Sequence, residues 1–317
     1  MPGRIKRSSA LFKASWSVLR EDKTLLLFPI LSSLASLVVI ASFAIPVVTL
    51  LTTDESLRDE VTAVIDQANQ SQSAAAPASG NAGDDAAAIP EGWEIAGYAY
   101  LFAFYFATSF VVIFFNAALI AAANERFQGR PTGIGVGIGV ATKRLPQILG
   151  WTLVATTINL VLRAIEERVG LVGRIIIALL GVGWAIATYF AVSAVVLEGV
   201  GPIGAIKRSG QTIRRTWGES LVIATGFGVA GILVTVLGIG LVVGGVFAIA
   251  SSATAGALGT TAGIILVAAG IIVFVGWAIL AGTLRGITQT ALFRFATDGT
   301  VVPGFDQQDL QVAFQHK

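Results

Sequence analysis

The chain contains no cysteine, and its single histidine, His316, is the penultimate residue. The first absence excludes disulfides, thiolate nucleophiles and cysteine-based metal sites. The second leaves no histidine placed to act as a general base or a ligand. Charge is scarce too. Asp, Glu, Lys and Arg make up 13% of the residues and hydrophobic types 55%, whereas soluble domains carry about 25% charged residues. A chain of 317 residues with that balance cannot cover a water-facing surface, so lipid must form part of its solvent. The mean hydropathy of +0.79 agrees. Enzyme signatures are missing as well: there is no HExxH, no GxSxG and no carboxylate pair. Gly133, Gly135, Gly137 and Gly139 alternate with Ile and Val, but no Lys-Ser/Thr follows and no strand precedes, so they do not make a phosphate loop. The expectation is a non-enzymatic protein with no catalytic residue, no metal and no cofactor. A net charge of +2 calls for no nucleic-acid partner.

What the chain does have is long apolar runs. Crossing the hydrocarbon core takes about 20 residues, and six stretches qualify or nearly so: 25–51, 95–123, 146–162, 171–197, 221–250 and 261–284. The first is too long and too far from the N-terminus for a cleaved signal peptide, and reads as a retained span. The third is the shortest. The tract from Leu221 to Leu284 carries no charge and reads as two spans with a tight turn near Ser251 to Thr260. Three short spans would put Arg285 and Arg294 on the side opposite Arg214 and Arg215, against the positive-inside bias. With the N-terminus inside, all 21 Lys and Arg residues except Arg58, Arg163, Arg168 and Arg174, hence 17, fall on cytoplasmic segments. The reading is an all-α, polytopic helical bundle over residues 1–296 in the plasma membrane, with both termini cytoplasmic and a polar tail over 297–317. The outer loop 52–94 starts with a polar helix candidate at 54–68 and continues into an Ala, Ser, Gly and Asp stretch that cannot bury a core. Asn69-Gln70-Ser71 in that loop is a sequon of the kind that arises by chance.

The basic residues recur in a pattern. Ile5-Lys6-Arg7-Ser8, Phe12-Lys13 and Ser15-Trp16 align without gaps on Ile206-Lys207-Arg208-Ser209, Ile213-Arg214 and Thr216-Trp217, with Arg215 between them. Lys143-Arg144 with Trp151 is a looser third copy. Phe12, Trp16 and Leu19 share one helical face, so the unit reads as a helix lying in the headgroup layer. Each Lys or Arg there contributes about 1 kcal/mol of attraction to an anionic leaflet. The returning spans also end alike, at Asn124-Glu125-Arg126-Phe127 through Arg130-Pro131, at Leu197-Glu198 through Pro202, and at Phe293-Arg294-Phe295 with Gly299 and Pro303. Three units follow, each a basic interfacial helix plus an out-and-back helix pair. Lys6, Arg7, Lys13, Trp16, Lys143, Arg144, Lys207, Arg208, Arg214, Arg215 and Trp217 are the candidate lipid contacts.

No span has Asp, Glu, Lys, Arg or His in its deep interior, where such residues mark ion or substrate paths. The strongest polar groups there are Asn116, Thr156, Thr157 and Asn159. They could line a polar cavity, but interhelical hydrogen bonding, worth roughly 0.6 kcal/mol on average, is the commoner role. Glu125, Arg126 and Glu198 at one set of span ends, and Arg163, Glu166, Glu167 and Arg168 at the other, could gate a pathway or bind headgroups. Residues at this depth more often snorkel and pair. Gly240 with Gly244, and Gly282 with Gly286, form GxxxG pairs that read as helix packing.

From Gly3-Arg4-Ile5-Lys6-Arg7 through Trp16, Leu19-Arg20-Glu21-Asp22-Lys23 and Leu27-Phe28-Pro29, the chain resembles a prokaryotic family of six-span membrane proteins of unknown function. Arg126-Phe127, Lys143-Arg144 and Ala205-Ile206-Lys207-Arg208-Ser209 resemble it too. The layout is also similar to the membrane domain attached to some glycerophosphodiester phosphodiesterases, without their catalytic part. The resemblance implies a fold and a membrane location and supplies no activity. Two functions remain: organising lipid or a partner membrane complex, through anionic lipids, another membrane protein or a second copy; and transport of a small or amphipathic solute.

Overall fold

Apolar runs with almost no charge leave the backbone no partner but itself, and helix is the result. A computed structural model of the protein describes residues 4–55, 58–59, 62, 91–215, 220–250 and 252–305, and among these it is helical with no strand. The helices are α1 (Arg4–Glu21), α2 (Leu27–Thr53), α3 (Glu91–Phe127), α4 (Ile134–Lys143), α5 (Leu145–Arg168), α6 (Leu171–Ala187), α7 (Pro202–Arg215), α8 (Ser220–Ala250) and α9 (Ser252–Asp298). Six helical stretches are long and apolar enough to cross a membrane: Lys23–Thr53, Ile95–Phe127, Leu145–Arg168, Leu171–Glu198, Gly231–Ala250 and Gly259–Asp298. The protein is a multi-pass helical membrane protein. Along the chain, each pair of apolar helices follows a shorter one, α1, α4 or α7. The sequon at Asn69, most of the outer loop including much of the candidate helix 54–68, Trp217 and the tail beyond residue 305 lie outside the described residues, as do the side chains of Lys6, Arg7 and Arg215.

The chain divides into two compact units. Residues 33–111 form the smaller. Its helices meet through aromatic rings: Phe43 stands 5.2 Å from Tyr100 and 5.5 Å from Phe104, and the Tyr100 hydroxyl donates to the Phe43 carbonyl. Leu37, Val38, Ile95 and Tyr98 are exposed, as lipid-facing residues should be.

Residues 1–32 and 112–317 form the larger unit. Its core is confined to one end. Ala117 to Ala123 of α3, Phe190, Ala191 and Ala194 to Val196 after α6, Leu284 and Ile287 to Phe293 of α9, and Ala14, Val18 and Leu19 of α1 are all buried. Small residues set the approach. A Cβ on Gly286 would stand 2.6 Å from Leu119, and one on Gly137 would stand 2.5 Å from the Ala118 carbonyl and 2.6 Å from the Phe28 ring. Hydroxyls complete the packing. Ser15 Oγ and Thr288 Oγ1 share a hydrogen bond of 2.6 Å, and the Gln289 amide donates to the Tyr189 carbonyl.

Four details differ from the sequence reading. The last two spans pack through Gly245 against Gly263 and Gly238 against Gly270, where a Cβ would meet backbone at 2.6 and 2.9 Å; Gly240, Gly244 and Gly282 face open space. The contacting pairs are seven residues apart on each helix, so they return to one face after two turns; Gly240 and Gly244 lie on a different face. The expected turn near 251–260 is helical from Ser252 on, because Ala, Gly and Thr without proline allow helix there. The fourth span is interrupted: α6 ends at Ala187, the chain turns through Thr188 to Phe190, and a short α-turn leads into a π-helical segment, Ala194–Glu198. The Phe190 N–H freed by the break donates to Ser209 Oγ at 3.0 Å, which makes the interruption affordable in a dry core. Finally, α1 buries Ala14, Ser15, Val18 and Leu19, while Phe12 and Trp16 stack at 6.4 Å on its partly exposed side, with Arg20 over Trp16. One flank of α1 therefore docks on protein, and the aromatic pair stands beside that flank.

Candidate functional site

Charge reappears where the apolar helices end, and in the larger unit these ends meet. The returning helices supply acids and arginines at similar points: Asn124 and Glu125 at the end of α3, Glu198 in the π-helical segment, and Arg294, Thr297 and Asp298 at the end of α9. Together with Arg130, Arg144 and Arg208 they line a cavity of about 550 Å³. Its charges are mostly paired. Arg130 grips Glu125 through two bonds, the second of 2.7 Å. Arg208 on α7 reaches both oxygens of Glu198 at 2.8 and 2.9 Å. Arg294 donates to Asn124 at 3.1 Å and stands 3.5 Å from Asp298. The Arg130–Glu125 pair is bidentate, the strong kind, while Arg208 shares its single Nε–H between the two Glu198 oxygens and Arg294 ties the end of α9 to that of α3.

Arg144 is different. It sits between α4 and α5, and among the described residues its guanidinium makes no ion pair or hydrogen bond. It lies against Gly199, at a spot where any Cβ would collide with it. Gly199 also has φ +72°, in the left-handed region, which glycine adopts without strain. The π-helical turn before it presents Val196, Leu197 and Glu198 to the same cavity; such turns are common at functional sites.

Asp22, just before the first apolar helix, organises the neighbouring surface. It caps the short turn Lys23–Leu26, accepting from the Thr24 N–H at 3.1 Å and from the Thr24 and Thr132 hydroxyls. Burial pushes its pKa up, but the bonds from Thr132 and Thr24, helped by the Arg126 charge, outweigh that and hold the carboxyl below its ordinary value. Arg126 in turn pairs with Glu21. Beyond α9 the chain folds back here, with Val302 and Phe305 buried and Phe305 edge-on to Phe127 at 6.1 Å.

The candidates read from sequence divide. Of the basic set, Arg144 and Arg208 come together in the cavity, while Lys13, Lys143, Lys207 and Arg214 are exposed and Trp16 is half-buried. The four polar interior residues are not brought together. Thr156 is buried, with its hydroxyl unpaired among the described residues, whereas Thr157 is exposed. Asn159 lines a separate cleft between α5 and α6, with Arg163, Glu166, Glu167 and Arg174. That cleft lies about 22 Å along α5 from Arg144, at 1.5 Å per residue. Asn116 is not in it; its side chain stands near Gly286. Arg130, Asn124, Thr297 and Asp298 belong to the cavity but escaped selection as sites. Their signal was the likeness of the three returning ends, which reads equally well as ordinary span termination.

No curated protein and no solved structure matches the chain. Residues 95–303, about two thirds of its length, match the family described as "Family of unknown function (DUF6159)", and the chain belongs to that family.

Proposed function

We propose that the protein is a non-enzymatic membrane protein that organises anionic lipid, or a partner membrane complex, at the cytoplasmic face of the plasma membrane, with both termini on that side. The observation that carries this reading is the division of the larger unit. Its core and most of its paired charges gather at one end, where Lys13, Lys143, Lys207 and Arg214 are exposed. Elsewhere its helices present Leu179, Ile232, Ile272 and their neighbours outward. Exposed basic residues beside a hydrocarbon-facing bundle attract anionic headgroups. Replacing Lys13, Lys143, Lys207 and Arg214 together by Gln should lower the anionic-lipid content of the gently extracted protein, read by lipid mass spectrometry. An unchanged lipid profile overturns the reading.

Transport of a small or amphipathic solute is the second reading. It draws support from the two polar cavities near opposite ends of α5. Solute-loaded proteoliposomes that leak no faster than empty-protein controls would remove it.

A further inference from the structure

Among the charged groups that line the cavity at the helix ends, every acid has an arginine, and one arginine is left over. Glu125 is matched by Arg130, Glu198 by Arg208 and Asp298 by Arg294. Arg144 leaves the lining with one uncompensated positive charge. Arg144 is part-exposed, whereas Arg294 Nε and Thr297 Oγ1, the other donors of the lining without a partner among the described residues, show no surface to the cavity, so Arg144 is the group open to a ligand there.

We infer that this cavity binds a phosphate-bearing anion, with Arg144 as its main ligand. The chemistry favours phosphate for two reasons. A guanidinium matches two phosphate oxygens with its fork of N–H groups. The volume of about 550 Å³ falls in the range of small-molecule sites and far exceeds what a lone halide would fill, while Val140, Val196 and Leu197 offer apolar lining for the part that bears the phosphate. Gly199 completes the site. With no side chain of its own, it lets the Arg144 guanidinium lie against the backbone. Placement at the ends of apolar helices puts the cavity at headgroup depth, so the phosphate could belong to a phospholipid or to a soluble phosphate ester. The lipid source rests on the lipid-organising reading; the site itself does not.

The test uses the full chain in a neutral detergent and follows its thermal unfolding midpoint and ligand titrations by tryptophan fluorescence. The probes are dioctanoylphosphatidylglycerol, dioctanoylglycerol, which lacks the phosphate, glycerol 3-phosphate and inorganic phosphate. Saturable binding of dioctanoylphosphatidylglycerol alone assigns the site to a lipid headgroup. Saturable binding of glycerol 3-phosphate as well assigns it to phosphate esters in general. In either case Arg144→Gln should weaken binding by about tenfold to a hundredfold, as expected for a lost charge-assisted pair. Arg144→Lys should lie between wild type and Arg144→Gln; it retains the basic charge, so it reports on the site even if Arg144→Gln folds poorly. Equal binding of dioctanoylglycerol and dioctanoylphosphatidylglycerol overturns the inference, as does binding that neither variant alters, or no saturable binding of any phosphate probe. The exposed-lysine variant described above should leave this saturable binding intact, so failure of the surface reading and failure of the cavity site are separate results.

Discussion

The two halves of α9 are built on opposite rules. From Ile264 to Val275 the helix shows Ile264, Ile265, Ile271, Ile272, Phe274 and Val275 to the outside. From Thr283 to Phe293 it buries nearly every residue, and four of those are Thr283, Thr288, Gln289 and Thr290. A soluble protein would bury the first set and expose the second. Lipid removes the driving force for burying Ile and Val, so helices associate through close contact and hydrogen bonding instead. The threonines fit this because their hydroxyls can bond the carbonyl one turn back: Thr283 to Ile279, Thr288 to Leu284 and Thr290 to Gly286, each at 2.8 Å. They enter the core already satisfied, and Thr288 keeps enough capacity to meet Ser15 on α1.

The contrast can be broken most severely at its tightest point. Gly286→Leu would drive a side chain into Leu119 and should lower stability by about 3 kcal/mol or more, since overpacking costs ~1–3 kcal/mol even for smaller insertions. Gly282→Leu, one turn away with nothing near it, should unfold at the wild-type midpoint in the same detergent melt. A deletion at the core should come next. Phe293→Ala, at a residue 2% exposed, should cost about 3–5 kcal/mol. Ile272→Ala, at 69% exposure, should change a denaturant titration in mixed micelles hardly at all. Equal losses for these two would mean that the outward half is also held by protein contacts. Thr288→Val should be milder, about 1 kcal/mol for the lost bond to Ser15; combining it with Ser15→Ala should restore part of the loss, which a double-mutant cycle measures. The smallest effect concerns acid. Because the folded state holds the Asp22 pKa below 3.8, its contribution is complete above that value and is lost as pH falls towards the folded pKa. Thr132→Val removes the largest of the influences that lower it, so its unfolding midpoint should depend less on pH between about 5 and 3 than that of the wild type.

Much of the architecture is legible in the chain because hydropathy and helix length are local properties. The six apolar stretches declare themselves, and Pro131, Pro202 and Pro303 follow the ends of the returning helices. Which glycines touch is not local. Gly240 and Gly244 match a familiar spacing yet face outward, because only the register between α8 and α9 decides that 245 meets 263 and 238 meets 270. The break at Thr188 to Phe190 is hidden for a similar reason: its support, Ser209, lies nineteen residues on. The cavity is half visible. Arg144, Arg208, Glu125 and Glu198 stand out as charged residues at span ends. Their pairing depends on three helix ends meeting, and Arg144 becomes distinctive only once the neighbours it lacks are known.

The bond from Ser15 to Thr288 joins residues 273 positions apart, and this has a bearing on assembly in time. Each apolar helix can enter the bilayer as it leaves the ribosome, but the packed end draws on α1, α3, α7 and α9 together. It cannot close until the last helix is in place. Before then the nascent protein is a set of inserted helices whose charged termini await their partners, exposed to quality-control proteases. A chain cut short before Thr283 should therefore insert normally and be degraded quickly, with its half-life rather than its topology recording the defect.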